Sequence, residues 1–123
     1  MKLAIAITAD PKTGDDGLGR AFQGLALAAE ARQHKDQVEV VFVGPGTRWP
    51  AEATKLGHPL HGLYQAVRTA VKGASCGCAE VFGAAAGVQA CGVPKLKEHA
   101  LAGTPGLASL RRYLAEGWQT LVF

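Results

Sequence analysis

The sequence predicts a single α/β domain with a mostly parallel sheet of four or five strands and helices on both faces, and three observations point there. Lys2 to Thr8 (KLAIAIT) and Gln37 to Val43 (QVEVVFV) are short, β-prone runs dense in apolar side chains, the pattern of strands covered on both faces. Between them the period changes to that of a helix, and strand, helix and strand on short links form a βαβ unit with a right-handed crossover. The 123 residues suit one core, since two would each be marginal.

The elements follow in order. Asp10 to Gly17 is a polar, glycine-rich loop. From Leu18 to about His34 an amphipathic helix is expected, with Leu18, Phe22, Leu25 and Ala29 on its apolar face, Ala21 and Ala28 beside them, and Arg20, Gln23, Glu30 and Gln33 mostly turned outward. Gly44-Pro45-Gly46 stops the second strand. Thr47 to Gly57 lacks clear periodicity and reads as loop with some helix. Leu60, Leu63, Tyr64, Val67 and Val71 mark a second amphipathic helix after Pro59. Lys72 to Cys76 is placed as the third strand because the alternation demands one there. Ala79 to Ala86 is a short helix ending near Gly87, and Gly92-Val93-Pro94 is a break. Thr104-Pro105 sets a capping hydroxyl before a first-turn proline, Leu107, Leu110 and Leu114 supply a stripe, and Gly117 ends that helix. Trp118 to Phe123 (WQTLVF) closes the chain as a strand. The βαβαβα(α)β order is that of a doubly wound sheet.

Composition narrows the functional classes. With 48% of residues apolar and 19% charged, burial can compete with the entropy of ordering the chain. A formal charge of +3, with no basic run longer than Arg111-Arg112, is too little for a nucleic-acid footprint. No targeting signal is read at the N-terminus, and no apolar stretch approaches the ~20 residues that span a bilayer. Three cysteines, an odd number, fit a reducing compartment better than a disulfide framework, so a cytoplasmic protein is expected.

In open parallel sheets, ligands gather beyond the carboxyl ends of the strands. Asp10 to Gly19, Gly44 to Trp49 and Ser75 to Glu80 should meet on that edge. The third segment carries Ser75-Cys76-Gly77-Cys78 at a strand-to-helix junction, where helix N–H groups and dipole would stabilise a thiolate. Partial exposure and a lowered pKa are what a nucleophilic cysteine needs. The bland alternative is that these cysteines pack as small apolar residues, and packing is the role expected of Cys91. Arg48 and Trp49, in the second edge loop, are candidate ligand contacts with Ser75, although Trp49 is equally suited to covering the core.

Two rivals lose on spacing. His58 and His61 with Cys76 and Cys78 would make a four-ligand zinc set, but Pro59 puts His58 at or before the helix start and Cys-x-Cys is an uncommon zinc pair. The glycines of residues 14–19 are spaced GxxGxG, without the lysine and hydroxyl of a P-loop, and Asp15 and Asp16 oppose phosphate. A turn with Asp16 as helix cap is expected instead. No cofactor is implied.

The strand Lys2 to Thr8, the GPGTRW stretch (44–49), the HPLHGLY helix start (58–64), GASCGCAEVF (73–82) and the tail PGLASLRRYLAEGWQTLVF (105–123) together resemble the DsrE/DsrF-like family, over essentially the whole chain. The match is nearest to small bacterial members. The resemblance implies a flavodoxin-like three-layer sandwich assembling as homo-oligomers (dimers, trimers or hexamers). It also implies sulfur handling, in which a cysteine at this junction carries a persulfide to or from a partner protein. Cys78, which precedes Ala79-Glu80, takes that role here, with Cys76 as helper. The sequence departs from the two cysteines separated by two residues expected in near relatives: Ser75 stands in the first place and Cys76 is one position off.

Overall fold

The computed structural model describes residues 1–123. Five strands, β1 (Lys2–Ile7), β2 (Gln37–Phe42), β3 (Val71–Ser75), β4 (Lys95–Leu96) and β5 (Gln119–Val122), form one sheet in the order β4-β3-β2-β1-β5. Every pairing is parallel. Six helices complete a three-layer α/β/α sandwich of the flavodoxin-like kind: α1 (Asp15–Gln33), α2 (Trp49–Ala53), α3 (His61–Val67), α4 (Cys76–Val81), α5 (Ala85–Ala90) and α6 (Leu110–Ala115). No helix is long and apolar enough to cross a membrane.

Alternation along the strands divides the core in two. Leu3, Ile5 and Ile7 of β1 and Val40 and Phe42 of β2 belong to a cluster of 20 buried residues completed by α1 to α5. Ala4 and Ala6 of β1 and Val41 of β2 face the other side, a cluster of only seven that is capped by Tyr113 of α6 and by Trp118. Full burial of an aliphatic side chain is worth roughly 1.5–3 kcal/mol. Most of the stabilising area therefore lies on the first face.

Several boundaries differ from the sequence expectations, each for a tertiary reason. The buried stripe of α1 is Ala21, Gly24, Leu25 and Ala28, whereas Phe22 is exposed. Small residues win because the helix lies so close to β1 that a Cβ on Gly24 would come within 2.3 Å of Ile7 Cδ1. Asp16 is no cap: α1 begins at Asp15 with Gly14 before it, Asp16 pairs with Arg20, and Asp10 caps the 3₁₀ turn Pro11–Thr13. Val71 belongs to β3, since α3 ends at Val67. The helix expected from Thr104-Pro105 starts five residues later, with the Ser109 hydroxyl accepting from the Arg112 N–H. Leu107 is drawn into an antiparallel bridge with His99 instead. Gly117, with φ +79°, does follow the end of α6 as expected. The two-residue β4 carries no sequence signal.

Around α6, the Tyr113 hydroxyl donates to Glu39 while Arg112 reaches Glu39, Glu98 and Glu116. Burial, then the hydrogen bond to Glu39, raises the pKa of the Tyr113 phenol above its ordinary value.

Candidate functional site

The first two edge segments meet, and Arg48 ties them to Phe82, just beyond the third. Its Nε donates to the Phe82 carbonyl at 3.0 Å and its Nη1 to Asp10 Oδ1 at 3.0 Å, while the guanidinium lies 5.6 Å from the Phe82 ring centre. One side chain thus ties the loop after β1, the turn after β2 and the end of α4. The Lys12 backbone N–H, donated to Asp10, outweighs the cost of desolvation and, with the Arg48 charge, holds the Asp10 carboxyl below its ordinary value of 3.8. The turn that delivers Arg48 needs Gly46, where a Cβ would sit 2.0 Å from the Ile7 carbonyl oxygen. Trp49 is 2% exposed, with Nε1 donating to the Ala9 carbonyl at 2.7 Å. It belongs to the core and only its rim reaches the surface.

Above this joint lies an open cleft of about 850 Å³. Its apolar walls come from Leu18, Trp49 and Phe82, and its polar groups are Lys12, Asp15, Arg48, Glu52 and His58. His58 Nδ1 accepts from the Leu60 N–H at 3.0 Å, and its ring meets Trp49 edge-on at 6.2 Å. The neutral imidazole therefore carries its proton on Nε2. Of the expected contacts, Arg48 and Trp49 line this cleft and Ser75 does not. Lys12 and Phe82 carry no chemical signal in the sequence, and Asp15 reads there only as a charge that opposes phosphate. The loop around Lys12 and Asp15 was identified as an edge segment, but which of its side chains border a cleft depends on where α1 starts.

The cysteine turn is a separate place. Helix α4 starts at Cys76, three residues earlier than expected, so Cys76 and Cys78 occupy its first turn directly after β3. A covering segment holds the turn. Gly77 N–H donates to the Gly106 carbonyl at 2.8 Å, and Ser75 Oγ accepts from the Ala108 N–H at 3.0 Å. A Cβ at Gly77 would lie 2.6 Å from Leu107 Cδ2, so a larger residue there would have to move that side chain. Ser75 is 1% exposed and Cys76 5%, while Cys78 is half-buried and, like Ala108 and Leu110, packs against the smaller cluster on the thinner face of the sheet. All three cysteines are free thiols. Cys91 packs against the larger core cluster, 3.6 Å from Thr54 Oγ1.

The histidines and cysteines are not gathered: no three His, Cys, Asp or Glu side chains converge to hold a metal ion. His61 Nδ1 lies 2.9 Å from the Ala53 carbonyl. The crevice beside β1 where the strand order reverses, a usual ligand position, is filled by the chain itself. There the Phe123 carbonyl accepts from the Thr8 and Ala9 N–H groups and from Thr8 Oγ1. No family model, curated protein or solved structure matches the chain.

Proposed function

We propose that this chain is a sulfur carrier or sulfurtransferase-like protein of the DsrE/DsrF-like kind, with Cys78 as the atom that holds the transferred sulfur. The single observation that supports it most is the position of Cys78: beyond the carboxyl end of β3, in the first turn of α4, and half-buried rather than sealed. Backbone N–H groups in a helix's first turn lack intrahelical partners and suit a sulfur anion, although that of Gly77 is taken by the Gly106 carbonyl. The Cys78 thiolate attacks the outer sulfur of a donor persulfide. One S–S bond forms at Cys78 Sγ, the donor's S–S bond breaks, and the donor departs as a thiolate. An acceptor thiolate then repeats the exchange on the outer sulfur of Cys78 and releases it. The protein returns unchanged and no external oxidant is consumed.

Cys76, buried two residues earlier, takes the helper role only when the covering segment lifts. The working form is a homo-oligomer in a reducing cytoplasm, with a protein donor or acceptor as partner. Incubation with a small-molecule persulfide donor, followed by peptide mass spectrometry, tests the reading. One added sulfur atom is expected on the Cys78 peptide, unaffected by Cys91→Ser and lost in Cys78→Ser. Equal labelling of Cys78→Ser and the parent sinks the idea.

A further inference from the structure

The cleft joined by Arg48 contains no cysteine and calls for its own explanation. Its volume of about 850 Å³ lies within the range of sites that take small molecules. Its charges are the informative part. Lys12 and Asp15 border it three residues apart, yet neither makes an ion pair with the other or with any residue of the protein. Their neighbours on the same stretch behave differently: Asp16 and Arg20 pair at 3.0 Å. Arg48 is held on two sides by Asp10 and Phe82, which leaves Nη2 without a protein partner. Its fixed guanidinium is thus pre-organised. Glu52 supplies a second carboxylate, shared with Lys55 at 3.1 Å.

The lining therefore carries two cations and two anions, Lys12 and Arg48 against Asp15 and Glu52. A nucleotide or other polyanion would meet both carboxylates, and a simple amine would meet both cations. A molecule with one group of each sign satisfies both sets. The ring of Phe82 and the side chain of Leu18, with the rim of the buried Trp49, offer an apolar surface for its body. We infer that this cleft is a binding site for a zwitterionic small molecule with a flat apolar part, of the size of an aromatic amino acid or short peptide. Lys12 and Arg48 receive its acidic group, Asp15 receives its amino group, and His58 Nε2–H serves as a neutral donor.

Titration calorimetry on the full chain tests this with four probes: phenylalanine, glycyl-phenylalanine (wider charge separation), phenethylamine (cation only) and 3-phenylpropionate (anion only). At least one zwitterion is expected to bind roughly tenfold more tightly than both single-charge analogues, as one charged hydrogen bond allows. Lys12→Ala should erase the advantage over phenethylamine, and Asp15→Asn the advantage over 3-phenylpropionate. Both residues are exposed, so the variants should fold, which a thermal melt verifies. Cys78→Ser should bind as the parent does, which separates this site from the sulfur reading. Failure of both zwitterions to bind, equal binding of a single-charge analogue, or no change in either variant overturns the inference.

Discussion

Arg48 shows how one residue can organise an edge that the backbone only brings into proximity. Its two hydrogen bonds run to groups 38 and 34 residues away in sequence, Asp10 and Phe82, so it fixes the relative positions of loops that do not otherwise share a ladder. Because the Asp10 carboxyl is held below its ordinary value, its charged form favours the folded state. That contribution is full above the unfolded value near ~3.9 and disappears as pH falls through the lowered folded value. Urea midpoints measured from about pH 5 to about pH 2 should therefore separate the parent from Asp10→Asn at the upper end and converge at the lower. Parallel curves across that window would show that the pair does not contribute in this way. The adjacent Trp49 makes a different point. Its rank among candidate contacts was open between ligand and core, and a buried indole hydrogen-bonded to the Ala9 carbonyl settles it toward the core.

Among the elements, the stretch between β4 and α6 is the least regular and bears most on Cys78. It has no helix of its own until Leu110, but it is pinned at four places: the His99–Leu107 bridge, Gly106 to Gly77, Ala108 to Ser75, and the Ser109 N–H to Glu98. Ser75, expected as a ligand contact, is the acceptor in the third of these. Removing that acceptor leaves the Ala108 N–H unpaired, at a cost of about 1 kcal/mol. Ser75→Ala is thus expected to lower stability by that amount and to speed alkylation of Cys78 by iodoacetamide in the native state. An unchanged alkylation rate would mean that the segment does not limit access to the thiol. The late start of α6 has the same origin. Thr104-Pro105 is a sound local start signal, and the Thr104 hydroxyl does accept from the Gly106 N–H, but Gly106, at φ +108°, turns the chain out of helical geometry and Leu107 is taken by the bridge.

At the scale of the whole molecule, the sandwich is asymmetric. Twenty buried residues hold five helices to one face, and seven hold one short helix and a loop segment to the other. Local opening should follow that division, because regions with few buried apolar contacts open at lower free energy. Amide exchange is accordingly expected to be slowest in β1 and β2, at the global unfolding limit, and faster in α6 and in residues 97–109. Equal protection across both faces would contradict this account. Cys78 sits on the thinner side, whereas the cleft opens where the loops after β1 and β2 meet α4 and α5.

The amino-acid order by itself determined the layers. KLAIAIT and QVEVVFV specify covered strands because alternation and β-branching act between near neighbours. Leu60, Tyr64 and Val67 specify a helix face in the same local way, and all three are buried. The parallel sheet and its carboxyl edge follow from that alternation, as does the meeting there of the loops that carry Asp10 and Arg48. Only the tertiary structure decided that α1 buries alanine and glycine rather than Phe22, that α4 begins at Cys76, and that Arg48 closes on Asp10 and Phe82. Each depends on how closely distant parts of the chain approach, a backbone carbonyl at Gly46 and side-chain ends at Gly24 and Gly77. A glycine in sequence announces freedom of the chain, but it does not name the atom that will come to rest against it.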